Sequence, residues 1–159
     1  MAEVKTNAVR IVETHGIDCE LRSYPCKGPL DAVTVAGILG EDPARVFKTL
    51  VTQGKSGAYY VFVLPGPGEL DLKKAAASVG EKSVAMIPVK DITKVTGYVR
   101  GGCSPVGMKK AYVTRIDASA QAFDAIFVSA GRLGQQLRVA PGDLARLTQA
   151  EFTSLTMGG

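Results

Sequence analysis

The run AYYVFVLP, residues 58–65, constrains the fold more than any other stretch of this chain. Its aromatic and β-branched residues predict a strand, which Pro65, Gly66, Pro67 and Gly68 bring to an end. Just upstream, RVFKTLVT, residues 45–52, predicts a second strand, with a lysine set among apolar residues. Side chains alternate between the faces of a strand, so Lys48 shares its face with Val46 and Leu50. Phe47, Thr49 and Val51 occupy the other face. Both faces read as buried, and an unpaired buried ammonium is costly. Two explanations fit the residues: an edge-strand lysine that discourages pairing, or a lysine that faces a polar ligand.

Other elements surround this pair. Ala8, Val9, Ile11 and Val12 follow helical spacing, with Thr6 as N-cap and Gly16 as stop. IDCELRSY alternates as a strand, and AVTVAGILG predicts a helix ending at Gly40. Asp71 caps a helix over LKKAAASVG, VAMI predicts a short strand, and Pro88 opens a helix through VKDITKVTG. Strands follow near AYVTRI, AIFVSA and QQLRVA; Pro141 and Asp143 open a last helix, and the tail adds a further turn. The interleaving is too irregular for a doubly wound series. The expected class is α+β: one domain over residues 1–159, a mixed, curved and partly closed sheet flanked by helices.

Composition narrows the chemistry. With 46% apolar and 21% charged residues, the chain has a globular rather than a disordered balance. The opening MAEVKTN lacks the apolar core of a secretory signal, and no apolar run approaches the ~18–20 residues of a membrane span, so a cytoplasmic protein is expected. Cys19, Cys26 and Cys103 form neither a disulfide framework nor a CxxC pair. His15 is the only histidine, placed before Gly16 where it suits a helix C-terminus. No Ser–His–Asp triad or zinc cluster is apparent, and no cofactor is expected.

The second informative stretch is TGYVRGGCSPVGMKK, residues 96–110. Gly101 and Gly102 permit close backbone approach to a ligand, and the N–H groups of such a loop suit an anion or a developing oxyanion. It matches neither GxxxxGK[ST] nor GxGxxG. Around it lies an acid-free segment between Asp91 and Asp117 carrying Lys94, Arg100, Lys109, Lys110 and Arg115, within a chain of 19 basic and 15 acidic residues and net charge +4. Such a segment suits a polyanion such as RNA, with Lys109, Lys110 and Arg115 as candidate backbone contacts, or else a solvated surface stretch.

Lys48 in VFKTLV, the ELDLKK helix start, TGYVRGGCSPVGMKK and FVSAGRLG together resemble the YbaK/EbsC family of Cys-tRNA(Pro) deacylases, in order and spacing, from about residue 5 to 150. The resemblance implies a mixed, barrel-like sheet with helices around it and the removal of wrongly attached amino acids from tRNA. It assigns Lys48 as the essential pocket lysine, with Tyr24, Thr49, Gly101 and Ser129 at substrate-contact positions; Gly102 belongs to the same glycine loop. It also implies aminoacylated tRNA(Pro) as substrate and prolyl-tRNA synthetase as a candidate partner. Gln136 stands where some relatives carry an acidic residue. The region from Pro25 to Ala32 reads as shorter than in some relatives, with no counterpart for an expected aromatic wall residue.

The mechanism implied by the resemblance is substrate-assisted. The cysteine thiol attacks its own carbonyl and leaves as a thiolactone, while Lys48 orients the aminoacyl ribose. Three alternatives remain at this stage: a deacylase that clears alanine or another small residue by water attack, a non-catalytic tRNA- or synthetase-binding module, and an interaction protein outside translation.

Overall fold

The computed structural model describes residues 5–158. The first residues of MAEVKTN, read above against a secretory signal, therefore lie partly outside the described residues. Among those described, no helix is long and apolar enough to cross a membrane.

The predicted elements form close to where the sequence places them. Helix α1, Asn7–Thr14, starts at Thr6, whose hydroxyl accepts from the Val9 amide at 3.2 Å. His15 ends it, with ring Nδ1 2.8 Å from the Ile11 carbonyl oxygen. Strand β1, Cys19–Ser23, leads to α2, Ala32–Leu39, capped by Asp31. Strands β2, Phe47–Gly54, and β3, Tyr59–Pro65, make an antiparallel hairpin in which Lys48 faces Leu64 and Thr49 faces Val63. Then follow α3, Leu72–Ser78, β4, Val84–Met86, and α4, Ile92–Thr96. The chain continues through β5, Val113–Asp117, β6, Ile126–Ser129, β7, Gln135–Val139, α5, Pro141–Thr148, and β8, Glu151–Thr153.

Two sheets result. Five strands run in the order β4-β2-β3-β5-β8, mixed in direction because β5 and β8 join in parallel; three antiparallel strands run β1-β7-β6. A parallel bridge between Val46 and Phe127 links the sheets where β2 begins. The class is α+β with a mixed sheet, as expected, but the sheet is not closed.

The unbroken apolar run of β3 now has its reason. Val61 and Val63 pack between the sheets with Phe47, Ile116, Val128 and Leu137, against α1 and α5. Phe62 and Leu64 face the other way, onto Ala75, Ala76 and Leu155. A strand covered on both faces cannot alternate apolar with polar residues. Full burial of each of these side chains contributes roughly 1.5–3 kcal/mol.

The tail differs from expectation. Glu151–Thr153 is a strand, not a further helical turn, because it pairs in parallel with β5 from Arg115 to Asp117. The Asp117 carboxylate also accepts from the Leu155 amide at 2.8 Å and anchors the chain just past that strand.

Candidate active site

Where β3 ends, PGPG folds back over β2. The Lys48 ammonium donates to the Gly66 carbonyl oxygen at 3.0 Å and to that of Gly68 at 2.6 Å. Those two bonds occupy two of its three N–H donors. Burial pulls the Lys48 pKa below its ordinary value, while the carboxylates of Glu69 and Asp31 pull in the opposite direction. The lysine is thus half-buried and held in place by backbone. It is no loose surface cation.

Beside it opens a cavity of about 190 Å³, walled by Lys48, Thr49, Gly101, Cys103, Ser129 and Gln136 on one part, and by Leu30, Asp31, Ala32 and Val35 on another. Larger hollows exist, one of about 470 Å³ beside Arg138 and Asp143. The Lys48 cavity stands out by its polar groups. The Thr49 hydroxyl and the Gln136 amide oxygen are buried and find no hydrogen-bond partner in the protein. Leaving such groups unmade costs ~1–3 kcal/mol each, so a buried orphan beside an open cavity points to a ligand.

The strands explain this convergence. Ser129 on β6 sits opposite Gln136 on β7, which brings both to the cavity. Ser129 Oγ accepts from the Gly131 amide at 3.2 Å, which orients it. Gly101 has φ of +81°, and a Cβ there would come within 2.9 Å of both Leu133 Cδ2 and Pro29 Cβ. Only glycine lets the loop sit so tightly between these two segments.

The remaining predicted residues lie elsewhere. Gly102 does not line the cavity; a Cβ on it would meet the Arg132 backbone at 2.9 Å, and its amide donates to the Val99 carbonyl at 2.9 Å. Its N–H is therefore committed to a turn, and Gly101 is the glycine that meets the cavity. Tyr24 lies behind the wall, packed near Val35, Val46 and Phe127, and lines a neighbouring hollow of about 340 Å³. Burial raises the pKa of its phenol, and the Gln136 side chain works in the other direction, so Tyr24 touches the site through Gln136. Cys103 lines the cavity, but burial pushes its thiol up to about 11.

The three candidate tRNA contacts also divide. Arg115 is committed to the fold: Nε donates to the Ser78 carbonyl at 3.2 Å, and a terminal nitrogen lies 3.8 Å from Glu151. Arg115 therefore also holds α3 and β8 together, unlike the two lysines. Lys109 Nζ donates to the Lys94 carbonyl at 3.1 Å, near the end of α4, and remains exposed. Lys110 is exposed as well.

Sequence reasoning missed Asp31 as a cavity residue. Its signal was available as a helix cap ahead of AVTVAGILG, but nothing in sequence joins it to Lys48. The segment before α2 contributes Leu30 to the wall, α2 adds Ala32 and Val35, and the aromatic in the lining is Phe47 of β2. Among the described residues, no three His, Cys, Asp or Glu side chains converge as a metal-ligand set.

Comparison with known proteins decides the family. The profile described as "Aminoacyl-tRNA editing domain" matches residues 29–147, a span that includes every residue lining the Lys48 cavity. The chain belongs to the aminoacyl-tRNA editing domain family. Within it, the chain is 45% identical over 153 residues to Enterococcus faecalis EbsC, covering 96% of this chain and 93% of that one. EbsC is provisionally named a Cys-tRNA(Pro)/Cys-tRNA(Cys) deacylase. A crystal structure described provisionally as a trans-editing enzyme for prolyl tRNA synthetase superposes with a TM-score of 0.84 at 26% identity, covering 98% of this chain and all of that one. A Fervidobacterium nodosum proline–tRNA ligase is 35% identical over 78 residues, 49% of this chain but 13% of the ligase. The family resemblance drawn from the four sequence stretches is thereby borne out.

Proposed function

We propose that this protein releases cysteine wrongly attached to tRNA(Pro), acting in trans, with Cys-tRNA(Cys) as a second substrate. Membership of the editing family makes it an aminoacyl-tRNA deacylase. The preference for cysteine rests on the 45% identity to EbsC across nearly the whole of both chains. The single observation that carries the site is the junction of Lys48 with the unsatisfied Thr49 and Gln136 groups around one small cavity.

The reaction we assign uses the substrate's own nucleophile. The cysteinyl sulfur attacks the ester carbonyl, a C–S bond forms, and the bond from that carbonyl to the ribose oxygen breaks. The ribose oxygen takes up the proton that the thiol gave up, and cysteine leaves as a thiolactone that opens later in water. Lys48 holds the aminoacyl ribose through its remaining N–H and stabilises the negative charge that develops on oxygen. Gly101 lets the loop approach the ester closely, and Thr49, Ser129 and Gln136 shape the space around the side chain. Cys103 is no rival nucleophile, because a thiol pushed up to about 11 is almost wholly protonated at neutral pH.

The cavity, about 190 Å³, suits a small side chain, which keeps alanine release by water attack as a second reading. A purely tRNA- or synthetase-binding module would not need a lysine buried against two carbonyls. Such an editing step belongs in the cytoplasm, beside prolyl-tRNA synthetase. The test is deacylation of tRNA(Pro) charged separately with Cys, Ala and Pro. Release of Cys well ahead of the others supports the proposal; release of Ala alone favours the second reading, and no release favours a binding module.

A further inference from the structure

The residues lining the Lys48 cavity include two charges of opposite sign, the Lys48 ammonium and the Asp31 carboxylate; the others are neutral. Asp31 is exposed at the cavity and fixed there by its role as N-cap of α2, with Oδ1 accepting from the Thr34 amide at 2.8 Å. That bond holds its carboxyl below the usual range, and it is ionised at neutral pH. A carboxylate offers about four lone-pair directions, so capping bonds from Thr34 leave it able to accept another donor. The Asp31 charge also acts on Lys48, which places both in one electrostatic site.

An aminoacyl ester brings a cation of its own. Its α-amino group titrates near neutral pH, so a substantial share of the ester carries an ammonium there. Beside Lys48 that ammonium meets a like charge; beside Asp31 it meets an opposite one. Gln136 is neutral and offers an amide oxygen at best, so the cavity's formal negative charge comes from Asp31. We infer that Asp31 determines specificity and orientation at this site: its carboxylate receives the α-ammonium of the aminoacyl ester, turning the ester carbonyl towards Lys48 and Gly101. The assignment rests on the deacylase reading of the same cavity. It implies selection against esters whose amine is blocked, a property the neutral walls alone would not confer.

The test compares Cys-tRNA(Pro) with N-acetyl-Cys-tRNA(Pro), using wild type and Asp31→Asn. Asparagine caps a helix as well as aspartate, so the variant keeps α2 and loses only the charge. Thermal melting checks this, and Asp31→Ser serves as a second capping variant. In the wild type, acetylation should lower kcat/KM by about three- to fivefold, the size expected of a solvent-exposed ion pair. Asp31→Asn should bring the free-amine ester down to the acetylated level and leave the acetylated ester unchanged. Equal losses on both esters, or no loss on either, would overturn the assignment. Equilibrium binding of the uncleavable 3′-cysteinylamino-3′-deoxyadenosine and its N-acetyl form runs in parallel. If wild type cleaves neither ester, the deacylase reading fails, and the binding pair still decides on Asp31 by the same pattern.

Discussion

Lys48 Nζ lies 2.6 Å from the carbonyl oxygen of Gly68, a residue twenty positions on, and this contact ties the PGPG turn to the strand beneath it. The lysine that breaks the apolar pattern of β2 is therefore both a strap on that turn and the charged end of the cavity. The two roles separate on substitution.

Lys48→Met keeps the aliphatic bulk and removes the ammonium. Deacylation should fall at least about tenfold, equivalent to ~1.4 kcal/mol of transition-state stabilisation. Stability should change by no more than about 1 kcal/mol, because two hydrogen bonds and the cost of desolvating the charge are lost together. Turnover and melting on the same preparation check this, and a folded variant at wild-type rate would remove Lys48 from the mechanism.

Lys48 also gives a signature in pH. Burial lowers its folded pKa below 10.5, so over the interval from that lowered value up to 10.5 the unfolded chain binds more protons than the folded one. Stability then rises with pH across this interval. Wild type should gain stability relative to Lys48→Met as pH increases towards 10.5, as measured by denaturant titration at several pH values. A flat difference would mean that the ammonium is as well solvated in the fold as out of it.

Much of this was open to reading in the sequence, for local reasons. Thr6 marks the start of α1, and PGPG ends β3, because caps and breakers act through neighbouring atoms. Lys48 stood out because a strand's alternation left a charge among apolar residues. Features that depend on distant partners were not readable. Glu151–Thr153 is three residues long and becomes a strand only through Arg115–Asp117. Arg115 sits in an acid-free segment, and nothing local shows that its Nε donates to a carbonyl of α3. Asp31 was not singled out, since the hairpin that brings Lys48 to it lies beyond the next helix.

Cys103→Ala should retain most activity. At pH 8 a thiol with a pKa of about 11 is ionised in roughly one molecule per thousand, too few for an efficient nucleophile. Initial rates for the variant, with slow alkylation of Cys103 at pH 8 in wild type, test the point together. Abolished turnover in a folded variant would bring the protein's own thiol back as nucleophile.

Gly101→Ala should be costly on two counts. A residue with a side chain at φ +81° adds roughly 1–2 kcal/mol of strain, and its Cβ would meet Leu133 and Pro29 at 2.9 Å. We expect a lower melting temperature and a cavity too narrow for the ester, seen as a rise in KM. Unchanged values of both would show that the loop is free to relax away from Pro29.

Neutralising Lys109 and Lys110 together, as glutamines, should weaken tRNA binding and reduce the salt slope by nearly two, at ~0.9 per duplex phosphate contact. The rate at saturating tRNA should hold. Binding measured from low to moderate salt decides it; an unaltered slope would move the RNA contact to another face.

The most direct measurement is single-turnover release from tRNA(Pro) carrying Cys, Ser or Ala, with the first product identified. Serine and cysteine are nearly the same size, but the hydroxyl is much the weaker nucleophile at neutral pH. Intramolecular attack by a well-placed group contributes ~7 kcal/mol or more in ideal geometry, which the Ser and Ala esters forgo. The account predicts fast release of Cys as a thiolactone and slow release of Ser and Ala. Equal rates for Cys and Ala, with free amino acid as the first product, would contradict it.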